Sequence, residues 1–269
     1  DKPSTVGKLK PHSSMHVGMN LVKNGEADAF VSAGNTGAAL SIATLYTLRR
    51  IPGVKRPGLT GIVRIGERAV ILVDVGANAD SKPEWLEQFA LMGKIYAKSA
   101  LGLDDPGVGI LSNGEEEGKG NELIREASEL IAKLPLRFVG NIEPKDLLSG
   151  IADVVVSDGF VGNILIKSME ATSRLVSDLI RQEIMASTVT KIGGALAKPA
   201  FDRVRKQTDP FEVGGAPLLG VNGVVIIGHG RSNDRAIKNA IGQARKAVSG
   251  QVIASITRGL QELGETERR

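Results

Sequence analysis

Residues 28–38, Asp28-Ala29-Phe30-Val31-Ser32-Ala33-Gly34-Asn35-Thr36-Gly37-Ala38, join a short apolar stretch to a helix whose first turn carries no bulky side chain. Such a junction leaves backbone N–H groups unpaired and aims them, with the positive end of the helix dipole, at one point. The chemistry it fits is anion binding. Asn35 and Thr36 read as added side-chain donors, with Ser32 at the strand end, and Gly34 and Gly37 let a ligand approach the backbone closely. Taken alone, one such loop is more often an ordinary strand-to-helix turn.

The device recurs. Strand-like runs at 69–73, 108–111, 154–156 and 224–227 each end in a loop of Gly, Asn and Asp. These loops are Asp74-Val75-Gly76-Ala77-Asn78-Ala79-Asp80, the stretch Asn113 to Asn121, Asp158-Gly159-Phe160-Val161-Gly162-Asn163, and Gly228-His229-Gly230-Arg231-Ser232-Asn233-Asp234. In open parallel sheets, ligands sit beyond the carboxyl ends of the strands, so the five loops are expected to meet in one cleft.

Within them, Lys119 lies between Gly118 and Gly120, so its ammonium is free to reach inward, although a lysine in a glycine loop is equally at home in solvent. Glu115, Glu116 and Glu117 offer carboxylates to a metal, yet a run of three acids is more often an exposed turn, and no metal is assigned. Asp74 and Asp158 follow apolar strands, where a carboxylate orients a lysine or caps a loop. Capping is the commoner role. With Asn78 and His229 they are nonetheless counted on the substrate side of the cleft; a structural role for His229 is at least as common. Gly114 to Lys119 departs from a nucleotide P-loop by one residue and by Gly120 in place of Ser or Thr. Neither a dinucleotide glycine fingerprint nor a Gly-x-Ser-x-Gly nucleophile elbow occurs.

The positioning elements follow from periodicity. Residues 11–23 read as a helix with Met15, Met19 and Val22 on one face, and 38–50 as an apolar buried helix. Strands are expected at 62–65 and 69–73, joined by a turn at Gly66-Glu67. Ser81-Lys82-Pro83-Glu84 reads as a capping box opening the next helix, and Asn121 as the cap of another. From Asn163 to about residue 205 the pattern is helical but broken near Ala186-Ser187-Thr188, which predicts a protruding helical hairpin over about 164–206. Val189, Ile192 and Leu196 form an apolar stripe there, most simply a dimer or core contact and, more sharply, a membrane-surface contact flanked by Lys191 and Lys198. The fold class is therefore α/β, a mainly parallel sheet flanked by helices, organised as one unit over 1–269.

Composition narrows the setting. The 269 residues carry a net charge of +4, 42% hydrophobic and 24% charged residues, no cysteine and only three histidines. Disulfides, cysteine-ligated zinc and a cysteine nucleophile are excluded, and no cofactor is indicated. Aromatics at 3% give single-stranded nucleic acid little to stack on. No apolar run approaches the roughly 20 residues of a membrane span.

The motifs resemble a known family. Asp1-Lys2-Pro3, residues 32–38, 74–78, 114–122 and 158–163, Gly214-Gly215-Ala216-Pro217-Leu218-Leu219-Gly220 and Ala236-Ile237-Lys238-Asn239-Ala240-Ile241 are similar to the bacterial phosphate acyltransferases of phospholipid synthesis. The resemblance implies a fold like phosphotransacetylase and isocitrate dehydrogenase, and transfer of a long-chain acyl group from acyl carrier protein to inorganic phosphate. It further implies a homodimer, cytoplasmic, held peripherally at the inner face of the membrane by the hairpin around Val189, Gly193 and Ala197. Lys119 and Asn163 match the positions expected to be essential for acyl transfer. Family members carry a strand and an Asp-Ala-Met-Gly-Gly-Asp loop ahead of the Asp-Lys-Pro region, so the chain reads as N-terminally truncated. The mechanism expected is direct attack of phosphate, held by the Ser32 to Gly37 loop and Lys119, on the thioester, with Asn163 donating to the oxyanion. Lys198, Arg203, Arg205 and Lys206 are the candidate docking cations for the acidic carrier. The alternatives are a phosphotransacetylase using coenzyme A thioesters, or a non-catalytic membrane-associated scaffold.

Overall fold

The computed structural model describes residues 7–65 and 68–266; the side chains of 65, 205, 206, 208, 210 and 266 lie outside that description. Asp1-Lys2-Pro3, the turn at Gly66-Glu67 and the Arg205 and Lys206 side chains therefore fall outside it.

Helix α1 (Ser14–Lys23) starts three residues later than its periodicity predicts, because Ser13 caps it, accepting from the His16 N–H. Strand β1 (Ala29–Ser32) leads into α2 (Thr36–Ser41), which continues as a π-helical turn, Ile42–Tyr46. The expected helix over 38–50 is thus shifted and shortened. Asn35 starts it early by accepting from the Ala38 N–H at 3.0 Å. Thr47 ends it, its hydroxyl donating to the Ile42 carbonyl at 2.9 Å, and Arg49 then turns the chain at φ 66°.

Strands β2 (Gly58–Ile65) and β3 (Arg68–Val73) precede α3 (Pro83–Leu101), which lays Leu86, Phe89, Ala90, Gly93, Tyr96 and Ala97 into the core. The predicted capping box does not form: Lys82 is the cap residue, without a side-chain bond, and the buried Ser81 hydroxyl has no partner. Pro83, whose φ is preset for the first helical position, puts the cap on the residue just before it, and Ser81 falls one place too early. Next come β4 (Gly107–Leu111), α4 (Glu122–Ile131, capped by Asn121), β5 (Arg137–Ile142) and β6 (Val154–Val156). The hairpin consists of α5 (Gly159–Ile184) and α6 (Thr188–Thr208), the latter opened by a reciprocal cap between Ser187 and Thr190. Strands β7 (Ala216–Leu219) and β8 (Val224–Ile227) and helices α7 (Asp234–Ser249) and α8 (Val252–Thr266) complete the chain.

The eight strands form one mixed sheet in the order β1-β8-β7-β2-β3-β6-β4-β5. Pairings β1–β8, β3–β6, β6–β4 and β4–β5 are parallel; β8–β7, β7–β2 and β2–β3 are antiparallel. Three reversals in the middle mean that β1 and β8 run opposite to β3, β6, β4 and β5. Register decides where their ends fall. Ser32 pairs with Ile227, Ile227 with Ala216, Leu218 with Leu59, and Thr60 with Val73. The carboxyl ends of the two parallel sets therefore meet at one level along the sheet. A single apolar cluster crosses both halves, from Ile110 and Val154 through Phe89 and Tyr96 to Ile226 and Ala240.

Candidate active site

Five loops follow the strands whose carboxyl ends share this level, and their hydrogen bonds show how each is held. The Asp74 side chain is 0% exposed and organises the loop after β3. Its Oδ1 accepts from the N–H groups of Leu59 (3.0 Å), Gly76 (3.0 Å) and Ala77 (2.9 Å); Oδ2 accepts from Asn78 N (2.7 Å) and Asn78 Nδ2 (2.9 Å). Burial pushes this carboxyl above its ordinary value, and those donors pull it back toward the ionised form. Both oxygens are spent on these five donors, so Asp74 shapes the loop. Asn78 is likewise committed, its second amide hydrogen going to the Pro57 carbonyl at 2.8 Å.

Helix α5 starts hard against that loop. Asp158 caps it, its Oδ1 accepting from Phe160 N (2.9 Å) and Val161 N (3.0 Å). The Ser157 hydroxyl donates to the Asp74 carbonyl at 3.0 Å. A Cβ on Gly159 would strike the Asn78 carbonyl, and one on Gly162 the Asp74 carbonyl. This close approach delivers Asn163, half-buried, against Gly76, where a Cβ would come within 2.8 Å of the Asn163 Nδ2. Gly76 has φ 138°, a conformation that glycine reaches most easily.

On the other side of the seam, the Gly228 N–H donates to the Ser32 carbonyl at 2.7 Å, and Gly230 passes the Ala33 carbonyl. Ser32 Oγ accepts from Gly34 N at 3.0 Å, and Asn35 Oδ1 caps α2 by accepting from Ala38 N, so two N–H groups and two side-chain oxygens of the expected anion loop are used internally. The first-turn N–H groups of Thr36 and Gly37 keep no intrahelical acceptor. His229 is exposed, and its Nδ1 accepts from Arg231 N at 3.3 Å. Val75 and Ala77 of the β3 loop pack against the same apolar cluster as Met15, Phe30 and Leu40, which ties the two sides together.

The loop after β4 lies beside the α5 start, since Ile110 pairs with Val156. It is closed by Gly120 N donating to Asn113 Oδ1 (3.0 Å), Asn141 Nδ2 to the Glu116 carbonyl (2.8 Å) and Arg125 to the Gly120 carbonyl (2.8 Å). Gly118 and Gly120 hold φ 87° and 95°, and Lys119 between them is exposed. The contacts described thus join the Ser32 and Gly228 loops, and the Asp74 and Asp158 loops; Lys119 is placed by strand order alone. Asn113, Asn141 and Ser157 were not singled out from sequence, because their partners are backbone atoms set by the fold. Glu115, Glu143 and Asp146 gather within 4.8 Å, but Lys145 Nζ already bridges Glu115 (2.7 Å) and Glu143 (2.6 Å).

A family model described as "Fatty acid synthesis protein" matches residues 1–255. A relative from Helicobacter acinonychis named phosphate acyltransferase is 47% identical over 264 residues, covering 98% of this chain and 77% of the relative. One of the same name from Dictyoglomus thermophilum is 47% identical over 265 residues, covering 98% and 79%. Among solved structures, a branched-chain phosphotransacylase from Enterococcus faecalis matches with TM-score 0.58 at 17% identity, covering 86% of this chain and 77% of that one. A phosphotransacetylase from Streptococcus pyogenes matches with TM-score 0.56 at 18% identity, covering 88% and 67%. At that identity the two structures establish the fold alone. The chain belongs to the fatty acid synthesis protein family, together with these phosphate acyltransferases.

Proposed function

We propose that this chain transfers a long-chain acyl group from acyl carrier protein to inorganic phosphate. The observation that carries the reading is the seam, where the Asn163 carboxamide and the α2 first turn open from strands whose carboxyl ends share one level. The phosphotransacylase-like fold and the names of the relatives agree with it.

Phosphate sits on the free N–H groups of Thr36 and Gly37 with Lys119 as counter-charge. One of its oxygens attacks the thioester carbonyl carbon, the C–S bond breaks, and the carrier thiolate leaves to be protonated from water or from the phosphate. Phosphate is already partly ionised at neutral pH, so positioning and charge stabilisation matter more than a strong base. Asn163 Nδ2 donates to the oxyanion, and the Asp74 network keeps the surface behind it fixed.

The assembly part of the proposal rests on exposed apolar faces. On α5, Val161, Ile164, Leu175 and Leu179 lie 45–59% exposed on one helical face, which fits a homodimer contact. On α6, Val189, Ile192 and Leu196 are 61–80% exposed at the hairpin tip, which fits peripheral attachment to the inner face of the membrane. No helix among the described residues is long and apolar enough to cross a membrane. Lys198 and Arg203 are the described candidates for docking the acidic carrier. Supplying carrier-protein and coenzyme A thioesters in parallel tests the donor: faster acyl phosphate formation from the carrier thioester supports the reading, and equal or faster use of coenzyme A thioesters contradicts it.

A further inference from the structure

Between Asp28 and Glu67 the chain carries no acid, yet it carries Arg49, Arg50, Lys55, Arg56 and Arg64. Four of these cations crowd into the turn of residues 49–56, which joins the π-helical segment to β2. Its backbone is pinned from several sides. Ile51 N donates to the Gly220 carbonyl (3.0 Å), Asn222 N to the Arg49 carbonyl (3.0 Å) and Lys55 N to Gln88 Oε1 (2.8 Å), while Gln88 Nε2 donates to the Gly53 carbonyl (2.9 Å). Ile51, Val54 and Pro57 are buried beneath the turn, and Arg49, Arg50, Lys55 and Arg56 are exposed on it. Arg49 and Arg50 donate to the carbonyls of Leu45 and Lys55, neutral acceptors that leave the positive charge uncompensated. The Arg56 guanidinium lies 4.9 Å from the ring centroid of Trp85, the only tryptophan in the chain. Gln88 and Trp85 stand three residues apart on α3, so the turn runs along the start of that helix. There the exposed Lys82, the cap residue of α3, adds a fifth charge. None of the five forms an ion pair with a described residue, and Asp80 and Glu84, on either side of Lys82 in sequence, pair with none of them.

This face stands beside the site. Pro57 follows the turn directly, and its carbonyl accepts from Asn78 Nδ2 at 2.8 Å, in the loop whose Gly76 bears on Asn163. Strand β2 starts at the level where β3 ends, so the turn emerges at the same end of the sheet as the loops after β3, β6 and β4. From β2 to β6, which feeds Asn163, is two strand intervals, about 10 Å at the usual spacing. A thioester on a flexible arm crosses that gap while its carrier stays on the turn. Lys198 and Arg203 offer a poorer hold on a polyanion, since they lie on the hairpin with Asp202 between them in sequence. Charge of one sign on an ordered surface, anchored by a stacked Trp and Arg, is what steers and holds an acidic protein.

We infer that the turn of residues 49–56, with Lys82 and Trp85, is the face on which the acidic carrier protein docks. The inference rests on the acyl-transfer reading and adds where the donor protein sits.

The test compares a Lys55→Glu/Lys82→Glu double variant with the unaltered chain, since neither side chain makes a hydrogen bond or ion pair with a described residue. Acyl carrier protein bearing a sixteen-carbon acyl group is one donor, and the uncharged pantetheine thioester of the same acid is the other. Trp85 fluorescence, titrated with the carrier, gives a dissociation constant without turnover. The expected result at low salt is a rise of about tenfold in the carrier KM and dissociation constant, with kcat and the pantetheine KM within about twofold of the unaltered chain. An unchanged carrier KM and dissociation constant overturn the inference. So does a Lys198→Glu/Arg203→Glu variant that weakens the carrier more, which returns docking to the hairpin. Loss of binding to phosphatidylglycerol vesicles with carrier binding intact also overturns it, and assigns the turn to a membrane. If the unaltered chain forms no acyl phosphate from either donor, the acyl-transfer reading fails, while the titration still reports whether the turn holds the carrier.

Discussion

Asn163 rests on Gly76 so closely that a methyl group added there would meet its Nδ2 at 2.8 Å. The contact joins the start of α5 to the loop after β3, two segments that the chain reaches 87 residues apart. It makes the direction of the carboxamide a property of the Asp74 network rather than of Asn163 alone.

Replacing the donor tests its part in catalysis. Asn163→Ala is expected to lower kcat by about 10² to 10³, equivalent to about 2.7–4 kcal/mol, while leaving the KM for phosphate within about twofold. Steady-state kinetics at saturating acyl donor read both; near-normal kcat removes Asn163 from the mechanism.

Moving the support under it should resemble removing it. Gly76→Ala both strains a φ of 138° and crowds the amide, so kcat is expected to fall at least tenfold. A Gly76→Ala enzyme with full kcat and an unshifted melting curve would show that the contact does not orient the donor.

Stability should separate the two aspartates. Asp158→Ala removes a helix cap and is expected to cost about 0.5–2 kcal/mol. Asp74→Ala orphans five N–H donors around a buried carboxylate and is expected to cost more, about 3–5 kcal/mol by comparison with other broken buried charge networks. Urea denaturation gives both values. Equal losses would contradict the organising role assigned to Asp74.

Lys119 supplies charge from an exposed loop. Lys119→Met is expected to raise the KM for phosphate at least tenfold, and in the unaltered enzyme that KM should rise with ionic strength as salt screens the attraction. A phosphate KM unaffected by either change assigns Lys119 to solvent.

Much of this was legible locally. Asn121 and Asp158 cap helices where their types and positions indicate, and the break at Ser187 makes the hairpin; Asn35, read as a donor to an anion, instead caps α2 through its oxygen. Ser81 failed as a cap because Pro83 fixes the helix start one residue later. The antiparallel β7 and its place between β8 and β2 were invisible, since strand direction is decided by partners far along the chain and not by the alternation within Ala216–Leu219. For the same reason Asp74 could not be told from a ligand-binding acid: its type and place were evident, but its five donors come from the folded loop and from Leu59.

The most direct measurement incubates the chain with a long-chain acyl carrier thioester and ³²P-labelled inorganic phosphate, then traps products with hydroxylamine. The account predicts labelled acyl phosphate before trapping, acyl hydroxamate after it, and free carrier in equal amount, all strongly reduced by Asn163→Ala. Thioester that stays intact, or that is hydrolysed to fatty acid without label entering the acyl product, would contradict it.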